Sequence, residues 1–160
     1  MAEKFETYAK KSEVVCDLGA HVGYYTLLAS KAVGKCGKVY AFEPLPWNII
    51  YLKKHIELNN ISNVCIFDCA VSNVTGKISF TNGDNKVSNT IGKNSPMFQS
   101  GKLIEVNSVT LDDLLEKDDI MVPQLIKMDI EGAEYDALTK SLVLLTDLPT
   151  PNSPIITQYL

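Results

Sequence analysis

Residues 14–30 read VVCDLGAHVGYYTLLAS: an apolar run, an acid, glycines at 19 and 23, then apolar residues at helical spacing. A glycine-marked turn between a buried strand and a helix is where α/β sheets hold nucleotide-like ligands. The dinucleotide fingerprint needs a middle glycine so that backbone can close on a pyrophosphate. Here His21 stands in that place, and Tyr24 in the place of the third glycine. A diphosphate is poorly served by such a turn. S-adenosylmethionine carries no phosphate; it presents an amino-acid zwitterion, a sulfonium and an adenosine. A turn with Gly19, Gly23, the acid Asp17 and free backbone groups suits that ligand better.

Working outward, the chain alternates strands and helices. Residues 14–18 form an apolar run closed by Gly19, which reads as a strand buried on both faces. Leu27, Leu28, Ala32 and Val33 give the next segment a helical stripe that Gly34 and Gly37 end. KVYAFE (38–43) is a second strand, and prolines 44 and 46 open a helix in which Ile49, Leu52 and Ile56 share a face. NVCIFDCAV (63–71) reads as a third strand. The repeated strand–helix–strand pattern implies parallel pairing with right-handed crossovers. GKISF (76–80) and LIEVNSVTL (103–111) then read as a hairpin around a long polar loop, 81–102. A short helix over 111–117 follows, capped after Thr110, with Asp112 and Asp113 in its first turn. QLIKMDI (124–130) reads as a buried strand, 131–145 as a helix, and 154–159 as a last strand. The first dozen residues suggest a small amphipathic helix through Phe5 and Tyr8.

Composition sets the outer limits. Hydrophobic content of 46% with 21% charged residues is ordinary for a globular domain, and a net charge of −4 argues against a broad basic surface for nucleic acid. No basic-then-apolar leader opens the sequence, and no apolar run reaches the roughly 18 residues that span a bilayer. The four cysteines, 16, 36, 65 and 69, form no CxxC pair and no ligand-like grouping with His21 and His55. The expectation is one domain over residues 1–160, cytoplasmic, with reduced thiols, no bound metal, no nucleic-acid partner and no membrane.

A second acid supports the turn. Glu43 ends the second strand 20 residues after Gly23, the spacing at which a carboxylate reaches ribose hydroxyls. The plainer reading is that Glu43 caps the helix that Pro44 opens. Asp129 ends the KMDI strand, whose tip is expected to face the same crevice as Gly19. A carboxylate there can orient or deprotonate a hydroxyl, or hold a divalent cation that does so. Glu131 and Glu134 stand in the first turn of the next helix, where acids also complement the helix dipole. His55, among lysines, reads as solvated, and Trp47 and Tyr51 as covering the edge of the core.

The motifs VVCDLGAHVGYYT, VYAFEP, CAVSN…GKISF, VTLDDL and LIKMDIEGAE occur in order from about Val14 to Leu138. On these residues the sequence resembles the FkbM family of S-adenosylmethionine-dependent methyltransferases. The resemblance implies a doubly wound, mostly parallel, Rossmann-like α/β sheet with helices on both faces. It also implies methyl transfer to a hydroxyl oxygen of a sugar, glycan or secondary metabolite. By position, Asp17, Gly19, Ala20, His21 and Gly23 would line the methionine end, Glu43 the ribose, and Asp68, Cys69 and Ala70 the adenine. Asp129 and Glu131 would be the catalytic acids. The Asp-Ile-Glu-Gly tetrapeptide is not the Asn/Asp-Pro-Pro-aromatic motif of base-directed amino methyltransferases, so a nucleobase nitrogen is not the expected acceptor.

A full class I sheet carries three more strands after the Asp129 strand, and this sequence supplies one. The expectation is therefore a domain truncated at its C-terminal edge, with apolar surface there for an oligomeric partner to cover. Two other readings remain open at this point: a cofactor-binding module without catalysis, and a nicotinamide-dependent oxidoreductase.

Overall fold

A computed structural model of the chain describes residues 8–11, 13–81, 103–130, 134–139 and 155–157. In chain order the elements are β1 (Val14–Leu18), α1 (Tyr24–Val33), β2 (Lys38–Phe42), α2 (Pro46–Leu58), β3 (Val64–Phe67), β4 (Ala70–Val71), β5 (Gly76–Thr81), β6 (Leu103–Val109), α3 (Leu111–Glu116), β7 (Leu125–Met128), α4 (Glu134–Thr139) and β8 (Ile155–Thr157). The main sheet has the order β3-β2-β1-β7-β8, every pair parallel. Strand order reverses between β1 and β7. That reversal opens the crevice in which doubly wound sheets bind ligands. Among the described residues no helix is long and apolar enough to cross a membrane.

Side-chain alternation divides the core in two. Val15 and Val39 with Leu125 pack under Ala29 and Val33 of α1, while Ala41 meets Leu52 of α2. On the opposite face Cys16, Leu18, Phe42, Ile126 and Met128 meet Leu111, Leu114 and Ala137. Helices therefore cover both faces, as the buried strands require. α3 begins where Thr110 accepts a hydrogen bond from the Asp113 amide at 3.0 Å, the expected cap.

Three readings change in detail. The third strand is shorter than 63–71: it stops at Phe67, and Ala70–Val71 pair instead with Ser108–Val109. This makes a second sheet of order β4-β6-β5, in which β5 and β6 run antiparallel as expected of the GKISF and LIEVNSVTL segments. On α1 the buried residues are Thr26, Ala29, Ser30 and Val33, not Leu27 and Leu28. Ser30 is satisfied by Asn63 at 2.6 Å and Thr26 by Asp17 at 2.6 Å, so two hydroxyls share the packed face with the half-buried Leu28 and Ala32. At the N-terminus Ala9, not the exposed Tyr8, packs into the core; Phe5 lies outside the described residues, as do loop 82–102 and most of the 131–145 helix. The expected last strand is present over Ile155–Thr157, where it pairs with β7.

Two glycines are required by space as well as by backbone angle. Gly19 has φ +78°, and a Cβ there would come within 3.0 Å of the Asp129 carbonyl carbon and closer still to its oxygen. Gly23 has φ +97°, and its Cβ would run into the buried Leu52 side chain. Both sites hold the β1–α1 turn against its neighbours. Gly19→Ala is expected to cost about 1–3 kcal/mol through left-handed strain and backbone overlap. For Gly23→Val the sequence suggests a loss of ligand binding more severe than the loss of stability. The contact with Leu52 reverses that order: thermal denaturation should show a large drop in Tm alongside any loss of binding.

Candidate cofactor and active site

The turn after β1 folds back onto the tip of β2. The Gly19 and Ala20 amides both donate to the Phe42 carbonyl (3.0 and 2.9 Å), and the Gly23 amide donates to the Ala20 carbonyl (2.8 Å). His21 takes a left-handed conformation, φ 52°, which turns its own amide onto Glu43 Oε2 at 2.8 Å. Four of the backbone donors expected to be free for a ligand, the Gly19, Ala20, His21 and Gly23 amides, are thus already engaged. His55 is not a solvated side chain either. Its Nδ1 donates to the Val22 carbonyl at 2.7 Å, tying α2 to the turn. Trp47 and Tyr51 stack edge-to-face on the same helix and remain exposed rather than closing the core edge.

Glu43 lies at the end of β2 and is only 4% exposed. Its Oε1 accepts from the Leu45 amide and from Asn48 Nδ2, each at 3.0 Å, and among the described residues Oε2 accepts from His21 alone. A carboxylate offers about four acceptor positions, so about one remains open, on Oε2. Both readings of Glu43 therefore have a basis: it supports the start of α2 and keeps one acceptor for a hydroxyl. Burial pushes its pKa above the ordinary glutamate value, partly opposed by the Asn48, Leu45 and His21 hydrogen bonds.

Beneath the turn lies a feature that no motif in the sequence marks. Asp17 is fully buried, and Lys127 stands directly beside it in the β1–β7 register. Lys127 Nζ is 3.1 Å from Asp17 Oδ1, donates to the Gly19 carbonyl at 3.1 Å, and approaches Asp129 Oδ2 at 3.8 Å. It also sits 5.1 Å from the centre of the Tyr25 ring. Asp17 Oδ2 accepts from Thr26 Oγ1 at 2.6 Å, pinning the first turn of α1 to β1. Asp17 is therefore a support below the turn and does not line its mouth. Ala20 likewise packs inward, against Ala41 and Leu52. One signal did mark Lys127: a lysine inside a strand buried on both faces must have a counter-charge.

Asp129 follows directly after β7, and its amide donates to the Leu18 carbonyl at 3.0 Å, which sets the β7 tip against the β1 tip. Its side chain is 24% exposed. The like charge expected beside it from Glu131 falls outside the described residues; the neighbour in view is the Lys127 ammonium. Gly19 and Asp129 thus meet as the sequence suggests. The residues expected at the adenine edge, Asp68, Cys69 and Ala70, follow directly after β3. Asp68 pairs with Lys53 at 3.6 Å on an exposed surface, a contact of small energetic weight. Cys69 and Ala70 are buried where the chain crosses to the second sheet. Burial pushes the Cys69 thiol up to about 11, so it is a neutral thiol at pH 7.

Comparison with known proteins bears on what this crevice belongs to. Residues 17–151 match the family described as the Methyltransferase FkbM domain. Methyltransferase 1 of Beauveria bassiana is 25% identical over 141 residues, covering 78% of this chain and 56% of that protein. Hexuronic acid methyltransferase AglP of Haloferax volcanii is 26% identical over 136 residues, covering 81% of this chain and 50% of that protein. The chain spans about half the length of these relatives. The crystal structure of Methyltransferase FkbM from Methylobacillus flagellatus superposes with a TM-score of 0.59 at 18% identity, covering 92% of this chain and 37% of that one; this is a likeness of fold. Since the matched family covers both the glycine turn and the Asp129 strand, the chain belongs to the FkbM methyltransferase family.

Proposed function

We propose that the crevice between β1 and β7 binds S-adenosylmethionine and that the chain takes part in methyl transfer to a hydroxyl of a sugar, glycan or secondary metabolite. The observation that carries this reading is the internal use of the turn's amides. A dinucleotide diphosphate needs those donors, and they are spent on Phe42, Glu43 and Ala20. What remains at the strand tips are carboxylate acceptors, Glu43 and Asp129, suited to a polyol and a cation. This disfavours the oxidoreductase reading. The residues present fit the donor's ribose, which would take the open position on Glu43 Oε2.

S-adenosylmethionine supplies, when bound, an electrophilic methyl group on a sulfonium. The chain's own part is to position and to accept a proton. Glu43 orients the ribose; Asp129, exposed at the tip of β7, accepts the proton of the attacking hydroxyl. Glu131, two residues on, is proposed to join Asp129 on the acceptor side. The similarity to a hexuronic acid methyltransferase favours a sugar acceptor over a polyketide one.

Two outcomes test this. Glu43→Gln replaces a charge-assisted acceptor by a neutral one and should weaken S-adenosylmethionine binding by about 1–2 kcal/mol, roughly 5- to 30-fold by titration calorimetry. Glu43→Ala is a poorer probe, because it strands three donors and lowers stability as well. The raised pKa also has a signed consequence. Between the ordinary glutamate value and the raised one, the folded chain holds the extra proton. Across that window the contribution of Glu43 to stability falls as pH rises, while affinity for the ribose rises as the carboxylate ionises. Affinity should therefore drop on acidification with a midpoint above the ordinary value, and Glu43→Gln should lack that step. Unchanged affinity in Glu43→Gln removes Glu43 from the site.

Asp129→Asn should slow methyl transfer to a responsive hydroxyl by about 10²–10⁴-fold while cofactor affinity stays within a few-fold. Parallel loss of binding would place Asp129 in the cofactor pocket instead. A wild type that binds S-adenosylmethionine yet methylates nothing on a broad panel of sugars and polyols would favour a binding module without catalysis. Tight binding of NAD would overturn the cofactor reading.

A further inference from the structure

The geometry points to Lys127 as a positioning residue that clamps the cofactor turn to the tip of β7. This rests on the S-adenosylmethionine reading and adds a residue to it. The ammonium has three N–H donors. One holds the Gly19 carbonyl at 3.1 Å; the charge also stands 3.1 Å from the buried Asp17 Oδ1, an ion pair in which that oxygen accepts no hydrogen bond among the described residues, and 3.8 Å from Asp129 Oδ2. These groups come from three separate places: the end of β1, the turn after it, and the tip of β7. The neighbour they share is the Lys127 side chain, only 4% exposed, with the Tyr25 ring beside it. A point charge so enclosed has little freedom to move. The Gly19 carbonyl and the Asp129 carboxylate are therefore kept at a set separation. Asp129, beyond hydrogen-bonding distance, stays near the cation without being saturated by it.

The cluster holds two carboxylates and one ammonium, a net charge of −1. Lys127→Met alone leaves Asp17 buried without a counter-charge and is expected to unfold the chain, so it cannot separate clamping from folding. Asp17→Asn combined with Lys127→Met can. It keeps an oxygen for Thr26, and it leaves the net charge at −1, now carried by Asp129 alone. The experiment measures Tm and the affinities for S-adenosylmethionine and S-adenosylhomocysteine by titration calorimetry.

For the double variant the expected result is a Tm within a few degrees of wild type, with both affinities reduced about tenfold or more because the turn has lost its anchor. Lys127→Arg, which keeps the charge and the donors, should restore both affinities to within about threefold of wild type. A double variant of normal Tm that binds both ligands as wild type does overturns the clamp. Should the double variant fail to fold, Lys127→Arg decides alone: retained affinity supports the clamp, and affinity lost at unchanged Tm overturns it. A wild type that binds neither ligand instead overturns the donor reading itself, and the clamp falls with it.

Discussion

The ion contact between Asp17 and Lys127 is the constraint around which the crevice is arranged. Taking an isolated carboxylate and an ammonium out of water costs several kcal/mol each, and their attraction repays this only when further hydrogen bonds complete the pair. Here Thr26 serves Asp17 Oδ2 and the Gly19 carbonyl serves Lys127, while Asp17 Oδ1 has the ammonium charge at 3.1 Å and no hydrogen bond among the described residues. The pair need not add to net stability, since an apolar replacement can be as stable. What it adds is specificity of arrangement. A slip of register between β1 and β7 would leave both charges unmatched, so the alignment of the two strand tips follows from charge as well as from the apolar pattern.

From that alignment the rest of the site follows in steps. With the tips of β1 and β7 level, Gly19 lies against the Asp129 backbone, where only hydrogen fits in place of a side chain. The turn then bends toward β2, its amides close on Phe42, and left-handed His21 delivers one more amide to Glu43. Glu43 in turn steadies the start of α2 through Leu45 and Asn48, and α2 returns His55 to the Val22 carbonyl. The loop is thus braced from below by Lys127 and from the side by α2. Such bracing is what a ligand site requires if its carboxylates are to be in place before the ligand arrives. On the proposed reading its chemistry is that of acceptors, for polar hydroxyls and cationic groups rather than a diphosphate.

Much of this was readable in the sequence, and the limits of that reading have physical causes. Strand and helix order could be read because buried parallel strands are short apolar runs, and because glycine and proline mark where they stop. The error in the third strand arose because IFDCAV stays apolar while the chain changes sheets. Periodicity records burial, not the partner strand. The error on α1 arose for a related reason. Thr26 and Ser30 look like surface residues until Asp17 and Asn63 are brought opposite them, and a hydrophobic stripe is blind to a satisfied hydroxyl.

By itself the sequence determined the fold class, the family, and the strand tips at which Glu43 and Asp129 stand. These rest on local patterns: a turn needs its glycines, and a strand tip carries whatever residue ends the run. Only the tertiary structure decided what each group is doing. It made Asp17 a buried support and engaged the amides that had looked free. It also gave His55 a carbonyl to hold and Lys127 a place at the centre. All four outcomes depend on contacts between residues distant in the chain, such as the 108 positions between Gly19 and Lys127. No local pattern carries that information, because an ion pair is written in the sequence only as two charges in separate apolar runs until the sheet sets them side by side.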